Sequence, residues 1–415
     1  MLNHERIQQI ARDTRTPFFV CDQRQFESNF DRITAAFGSR WDKFILAYSY
    51  KTNYIPWLCG IIRDRGGWAE VVSRMEYDLA LRIGQDPRKM IFNGPAKGPE
   101  TIMRALEAGS LINIDSNRGL ETVATWAQAN PQREVGVGLR INMGLWDAAG
   151  SSHVQANLPI SRFGFDQGSE NLHRVMVTLA GCPNVSVTSL HGHTSTTDRA
   201  VWCYERIAGT LCSIASEYFP RTVEYINVGG GIFGDVPPEM RWKDVPTFDD
   251  YAEAIVNVLL GNAWAARRRP YLVLEPGVAM AANVVSYISQ VVDVKKISGR
   301  TLVTVDGTAM HAKPTLHQRP LPFRVITKNA PGPAAIYSVV GSTCMETDYL
   351  LTDIHAPVPA PGDYVEIGQV GAYTVVLAPP FINYAPAIVS LNGEDVTVVR
   401  APQSLEGFLA DYRLP

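Results

Sequence analysis

The chain is 415 residues long, 46% apolar and 19% charged, with a net charge of -3. That length allows two domains with sizeable cores. So small a charge makes no electrostatic case for nucleic acid or an anionic membrane, and no apolar run is long enough to span a bilayer.

The opening residues Met1–Ile7 are polar and helix-like and lack the apolar core of a secretory signal. Residues 1–16 cannot be assigned by pattern alone; packing with the C-terminal domain is one placement. From residue 44 to residue 277 come eight short apolar, β-branched runs: 44–51, 68–73, 90–95, 111–116, 134–142, 185–193, 225–231 and 271–277. Helix-like stretches separate them. Near-continuous apolar strands alternating with helices imply a parallel sheet covered on its faces, and eight such units predict a closed (β/α)8 TIM barrel over residues 17–281.

The runs end on polar groups: Lys51, Glu70 with Ser73, Asn93, Asp115 with Ser116, Arg140, His191 with His193, Gly229–Gly231, and Glu275. Functional groups of such barrels gather at the C-terminal ends of the strands. For Asn93 and Asp115 the plain reading is preferred, that strand ends are polar because they meet water.

After Gly277 the pattern turns to alternating runs at 284–294, 301–305, 335–340, 363–370, 373–377 and 387–391, with an Asn392-Gly393 hairpin signal. These predict an all-β, barrel-like domain over residues 282–415. The six cysteines are widely spaced, with no C-x-x-C pair and no zinc-ligand spacing. No metal site is expected, and reduced thiols in the cytoplasm are.

Each strand end suggests chemistry. A lysine at the mouth of a buried strand is partly dehydrated, which lowers an ammonium pKa and favours an imine-forming amine at Lys51. Three glycines after a strand let backbone N–H groups face an anion, so Gly229–Gly231 read as a phosphate cradle. Glu275 near the barrel interior needs a cation or strong donor. A protonated pyridine nitrogen and a barrel arginine such as Arg140 are equal candidates. His191 and His193 have metal-ligand spacing, but no further histidine matches a barrel-strand end, so an imidazole packed on an aromatic cofactor is preferred. Cys344, in a loop of small and polar residues, is a candidate proton donor or nucleophile.

In order along the chain, these segments resemble the fold-type III pyridoxal-phosphate decarboxylases, the ornithine, diaminopimelate and arginine decarboxylase group. Tyr48 to Asn53 resembles that family's Y-x-x-K-x-N segment. Glu70, Ser73 and Glu76 resemble D-x-x-S-x-x-E, with glutamate for aspartate. Gly94-Pro95-Ala96-Lys97 resembles G-P-x-K, and Ser161-Arg162-Phe163-Gly164 resembles S-K-F-G. His191-Gly192-His193, the glycine triplet, Glu275-Pro276-Gly277, Gly341 to Cys344 with Asp348, and Gly371-Ala372-Tyr373 follow in their places.

The resemblance implies that Lys51 carries pyridoxal 5'-phosphate and that Glu275 keeps its pyridine nitrogen protonated. It implies that His193 packs on the ring, and that Gly229, Gly230 and Gly231 bind the phosphate with help from Tyr373. Glu70 and Gly277 belong to the same cofactor site. It also implies a homodimer with shared sites, in which Cys344 protonates the substrate carbon across the interface.

The departures bear on substrate. Val278 stands where the family has arginine, and Met345 where it has an acid that meets the distal amine of the substrate. A methionine cannot balance a buried ammonium. The expectation is therefore an amino-acid conjugate rather than plain ornithine, lysine or diaminopimelate, as in siderophore or natural-product biosynthesis. Arg162, Met345, Glu346 and Asp348 are the candidate substrate contacts. The rivals are diaminopimelate decarboxylase proper, a racemase of the same fold, a metal-dependent hydrolase using His191 and His193, and a non-catalytic relative.

Overall fold

In the computed structural model the described residues are 2–147, 149–154, 158–166, 170–196, 198–315, 317 and 319–414. The chain divides into two compact units: residues 29–234 with 245–280, and residues 1–28 with 235–244 and 281–415.

The first unit is a closed barrel of eight parallel strands. In chain order these are β1 (Phe44–Ser49), β2 (Trp68–Val71), β3 (Met90–Phe92), β4 (Leu111–Ile114), β5 (Val135–Asn142), β6 (Val185–Gly192), β7 (Tyr225–Asn227) and β8 (Tyr271–Leu274). Each pairs with the next, β4 joins β5, and β8 returns to β1, which leaves no free edge. A two-residue strand, Phe165–Asp166, also pairs with β5.

The interior changes character along the strands. Side chains two apart share a face, so each strand sends alternate residues inward. Ile45, Ala47, Ile91, Leu111 and Val273 form one apolar cluster. Two or four residues further along the same strands stand Ser49, Asn93, Asn113 and Glu275, all buried and polar. The apolar cluster lies below, and the polar layer lies toward the C-terminal strand ends, where barrel sites are built.

Helices cover the outside. In Val201–Tyr218 the buried positions Cys203, Tyr204, Ile207, Ala208, Leu211, Cys212, Ile214 and Ala215 recur with helical spacing and form one face. Two strand-end serines turn out to be helix caps. Ser73 accepts from Glu76 N, and Ser116 accepts from Gly119 N, each at 3.2 Å.

The second unit holds a nine-stranded sheet. Its Asn392–Asp395 hairpin pairs Ala387–Asn392 with Asp395–Arg400 as the Asn-Gly signal predicts. Two features differ from the sequence reading, the sheet that takes Phe18–Asp22 and the turns at residues 373–377. Phe18–Asp22, grouped there with the barrel, pairs antiparallel with Val285–Ile297 and parallel with Ala387–Asn392. Ile7 and Ile10 of the first helix pack in the core of that same unit with Phe18, Val20, Ile288 and Val389. Residues 373–377 form turns rather than a strand: Leu377 N and Ala378 N both bond back to Thr374 O, and Tyr373 sits at φ 55°. Among the described residues no helix is long and apolar enough to cross a membrane.

Candidate active site

Lys51 follows β1 in a short 3-10 turn, Tyr50–Thr52. Its Nζ donates to Glu70 Oε2 at 2.6 Å and to Ser49 Oγ at 2.7 Å. Ser49 Oγ in turn donates to Glu70 Oε2 at 2.5 Å. The lysine is thus not stranded in an apolar wall as its sequence context suggested. Glu70 gives the amine a counter-charge and fixes where it points.

Glu70 is one end of a buried network. Asn93 Nδ2 donates to Glu70 Oε1 and to Glu275 Oε1, both at 2.9 Å. Asn227 Nδ2 reaches Glu275 Oε1 at 2.7 Å. His191 Nε2 lies 3.3 Å from Glu275 Oε2, and Asn113 links His191 Nδ1 (3.3 Å) to Asn93 Oδ1 (2.7 Å). Burial alone would raise the Glu275 pKa, but His191, Lys51 and the Asn227 amide together hold its carboxyl below the usual range. Glu275 therefore presents a buried negative charge to the cavity.

This network corrects two readings. Asn93 is buried and joins two carboxylates, so it is not polar merely because it meets water. The Asp115 side chain is 6% exposed, and its Oδ1 stands 3.8 Å from Lys97 Nζ. Of the two partners considered for Glu275, Arg140 is not the one that holds it. Arg140 Nη2 donates to the His193 carbonyl at 2.6 Å.

His193 packs against the glycine turn. A Cβ on Gly229, whose φ is 72°, would collide with the His193 side chain, and one on Gly230 would collide with the Glu275 carbonyl oxygen. Gly229 and Gly230 are therefore required by close approach to two site residues, and Gly231 by its φ of 94°. Gly230 O also accepts from the Tyr204 hydroxyl at 3.1 Å. Gly277 lies against Thr52, which brings the turn after β8 up to the Lys51 turn.

Burial pushes the His193 imidazole down to about 3, with Arg140 and Lys51 adding to it. In the unfolded chain the same ring gains its proton near 6.5. The unfolded state then binds more protons between those two values, so this group makes the fold less stable as pH falls through that window. His193→Gln is expected to flatten the loss of stability between about pH 6.5 and pH 4, measured by denaturant unfolding. An unchanged pH slope would contradict the assignment.

A cavity of about 510 Å3 opens above the network. Lys51, Glu70, Asn93, Arg140, His193 and Glu275 line its inner part, and Val154, Leu158, Ile160, Arg162 and Phe163 line another part of its wall. Arg162 is exposed, its guanidinium 4.3 Å from the centroid of the Phe163 ring. The lining fits a flat, doubly functional cofactor. An amine and a carboxylate share one cavity, an imidazole stands on its wall, and His193 Nδ1 and Arg140 Nε are buried with no internal hydrogen-bond partner.

The remaining candidates belong to the second unit. Cys344 is exposed in a turn, Met345 is half-buried and Glu346 is exposed. Tyr373 is 39% exposed. Asp348 is buried and already engaged: it accepts from Ala309 N (2.7 Å), Thr308 Oγ1 (3.1 Å), Thr343 Oγ1 (2.6 Å) and Thr343 N (3.1 Å). Those bonds make it the anchor of the Cys344 turn rather than an open contact for an amine. Asn113, Asn227, Ser49 and Tyr204 were missed in the sequence. Counting inward positions at a period of two from Ile45, Leu111 and Tyr225 would have found the first three.

A closed parallel barrel with an amine, two carboxylates and a glycine turn at its strand ends defines a class of cofactor enzyme, and the match over residues 23–282 specifies it: the chain belongs to the family of the pyridoxal-dependent decarboxylase, pyridoxal binding domain. It is a carboxy-lyase of the diaminopimelate, ornithine and arginine decarboxylase type, dependent on pyridoxal phosphate. The diaminopimelate decarboxylase of Helicobacter pylori is 27% identical over 412 residues, 98% of this chain and 97% of that protein. A probable chloroplastic diaminopimelate decarboxylase of Oryza sativa subsp. japonica is 28% identical over 368 residues, 88% of this chain and 72% of that protein. The crystal structure of a Helicobacter pylori diaminopimelate decarboxylase variant complexed with L-lysine aligns with TM-score 0.84 at 25% identity, over 97% of this chain and 98% of that one.

Proposed function

We propose that the protein decarboxylates an amino acid whose distal end is capped or carried on a larger group. One observation carries this reading: the apolar stretch of cavity wall, Val154, Leu158, Ile160 and Phe163, with Leu158 53% and Ile160 71% exposed. A free distal ammonium against such a wall would lose water without gaining a counter-charge. The lining carboxylates Glu70 and Asp115 already face Lys51 and Lys97. Val278 and Met345, in place of the family's arginine and acid, point the same way. Diaminopimelate itself is the second reading, favoured by the relatives' names and by the cation of Arg162 on the cavity wall.

In this reading Lys51 holds the cofactor covalently through its amine, aimed by Glu70 and Ser49. Bound pyridoxal phosphate supplies an electron sink for the pair left when carbon dioxide departs. Glu275, its carboxyl held below the usual range, would keep the pyridine nitrogen protonated. His193, neutral at working pH, would cover the ring, and the amides of Gly229, Gly230 and Gly231 would hold the phosphate, with Tyr373 assisting. Cys344 of the partner subunit donates the proton, which makes the working form a homodimer. We place it in the cytoplasm, in keeping with six free cysteines.

Steady-state assays of carbon dioxide release test the substrate. The kcat/KM for a distally acylated or carrier-linked diamino acid is expected to exceed that for free ornithine, lysine or diaminopimelate by at least about 100-fold. Efficient turnover of free diaminopimelate would establish the second reading instead.

A further inference from the structure

Outside the catalytic network, His153, Asp198 and Cys203 bring an imidazole, a carboxylate and a thiol together, with their ligand atoms all within 4.8 Å of one another. We propose that these three side chains hold one divalent metal ion, zinc by donor type, beside the mouth of the cavity.

The arrangement around His153 is that of a supported metal ligand. Its Nδ1 faces Asp198 Oδ2 at 3.3 Å, and its Nε2 faces Asp147 Oδ2 at 3.2 Å. Each carboxylate is pinned by its other oxygen. Asp147 Oδ1 accepts from Ala149 N (2.9 Å) and Ser151 N (2.8 Å), and Asp198 Oδ1 accepts from Ala200 N (3.2 Å). A neutral imidazole carries one N–H, so it can donate to only one of the two acids. With a metal on Nδ1 the proton sits on Nε2 and goes to Asp147, the carboxylate–histidine–metal pattern that orients metal-bound imidazoles. The Trp202 ring meets His153 edge-on, centroids 5.0 Å apart, and fixes its plane. The alternative, an imidazolium donating to both acids, needs no thiol nearby.

Cys203 supplies that thiol from the first turn of the helix Val201–Tyr218 and is fully buried. Burial pushes it up to about 12, so it carries a proton until a cation displaces it. Metal binding would release that proton to solvent as the thiolate–metal bond forms. Three protein ligands leave a fourth position for water.

The placement suggests the use. Val154, next to His153, bridges to Thr196, and Val154, Thr194 and Ser195 all line the cavity. A metal at this point would staple the segment after β5 to the segment after β6, holding one wall of the substrate cavity in place. This inference does not depend on which amino acid is decarboxylated.

The test is a cobalt(II) titration of chelator-treated holoenzyme, read in the red, clear of the cofactor's band, followed by displacement with zinc. One equivalent is expected to bind with tetrahedral-type bands and to raise the melting temperature. Asp198→Asn, a change at an exposed side chain, and Cys203→Ser should each weaken binding by at least tenfold and remove the thermal shift; Asp147→Asn should weaken it by about tenfold. A retained cofactor band and circular dichroism spectrum would show that each variant is folded. Absence of stoichiometric binding to the wild type would overturn the proposal, and so would binding that persists unchanged in folded Asp198→Asn and Cys203→Ser.

Discussion

Lys51→Ala is expected to lower decarboxylation by at least about 10,000-fold, the scale on which enzymes lose rate when the group that forms the covalent bond is removed. The loss should appear in kcat, with the cofactor's absorbance shifting to that of free aldehyde. The network predicts the rest of the phenotype. Without the ammonium, Glu70 keeps its bonds to Ser49 and Asn93 but loses its cation, so the variant should fold and still melt cooperatively. The measurement is single-turnover carbon dioxide release with saturating cofactor, beside a thermal melt. Wild-type turnover by folded Lys51→Ala would refute the assignment.

Glu275→Gln is expected to reduce kcat by about 100- to 1,000-fold with a smaller change in KM. The substitution keeps the volume and can keep an acceptor for Asn93 and Asn227. It removes the negative charge facing His191, the charge proposed above to keep the pyridine nitrogen protonated. If the cofactor is held by Lys51 and the glycine turn, as proposed above, the visible band should persist while turnover falls. That split distinguishes an electrostatic role from a structural one: a merely structural glutamate would lose stability and cofactor together. Stopped-flow spectra and steady-state kinetics on the same preparation make the comparison. A kcat within about twofold of wild type would contradict the role given to this charge.

The barrel was legible because its signal is redundant. Eight buried strands each carry a short apolar run, and each run ends where polar groups begin. The second unit was less so. Phe18–Asp22 lies next to the barrel in sequence, yet it pairs with residues 285–288 and 387–391, and an isolated run of four apolar residues carries no sign of which sheet will accept it. Residues 373–377 are apolar enough to read as a strand, but Tyr373 takes a left-handed conformation that ends extended pairing.

The site was half legible. Lys51, His193, the glycines and Glu275 carry chemistry that stands out in a list of residue types. Asn93, Asn113 and Asn227 do not, because an asparagine at a strand end is ordinary until its partners are known. Their function lies in the register, where an inward period of two stacks them over the apolar layer. Asp348 errs in the opposite direction. An acid near a cysteine invites a reading as a substrate contact, whereas its four donors make it the support of the turn. Lys97 shows the limit of reasoning from dehydration alone. Burial pushes its amine down to about 8, which makes it the better candidate by that criterion. Its Nζ, however, is held by the Gly94 carbonyl and faces Asp115, whereas Lys51 lines the cavity.

Those two lysines supply the sharpest test. Borohydride reduction of the cofactor-loaded enzyme, followed by peptide mass spectrometry, locates the covalent bond. The account predicts one pyridoxyl phosphate adduct, on Lys51, with Lys97 unmodified. An adduct on Lys97, or none on either lysine in a yellow, cofactor-saturated sample, would contradict it.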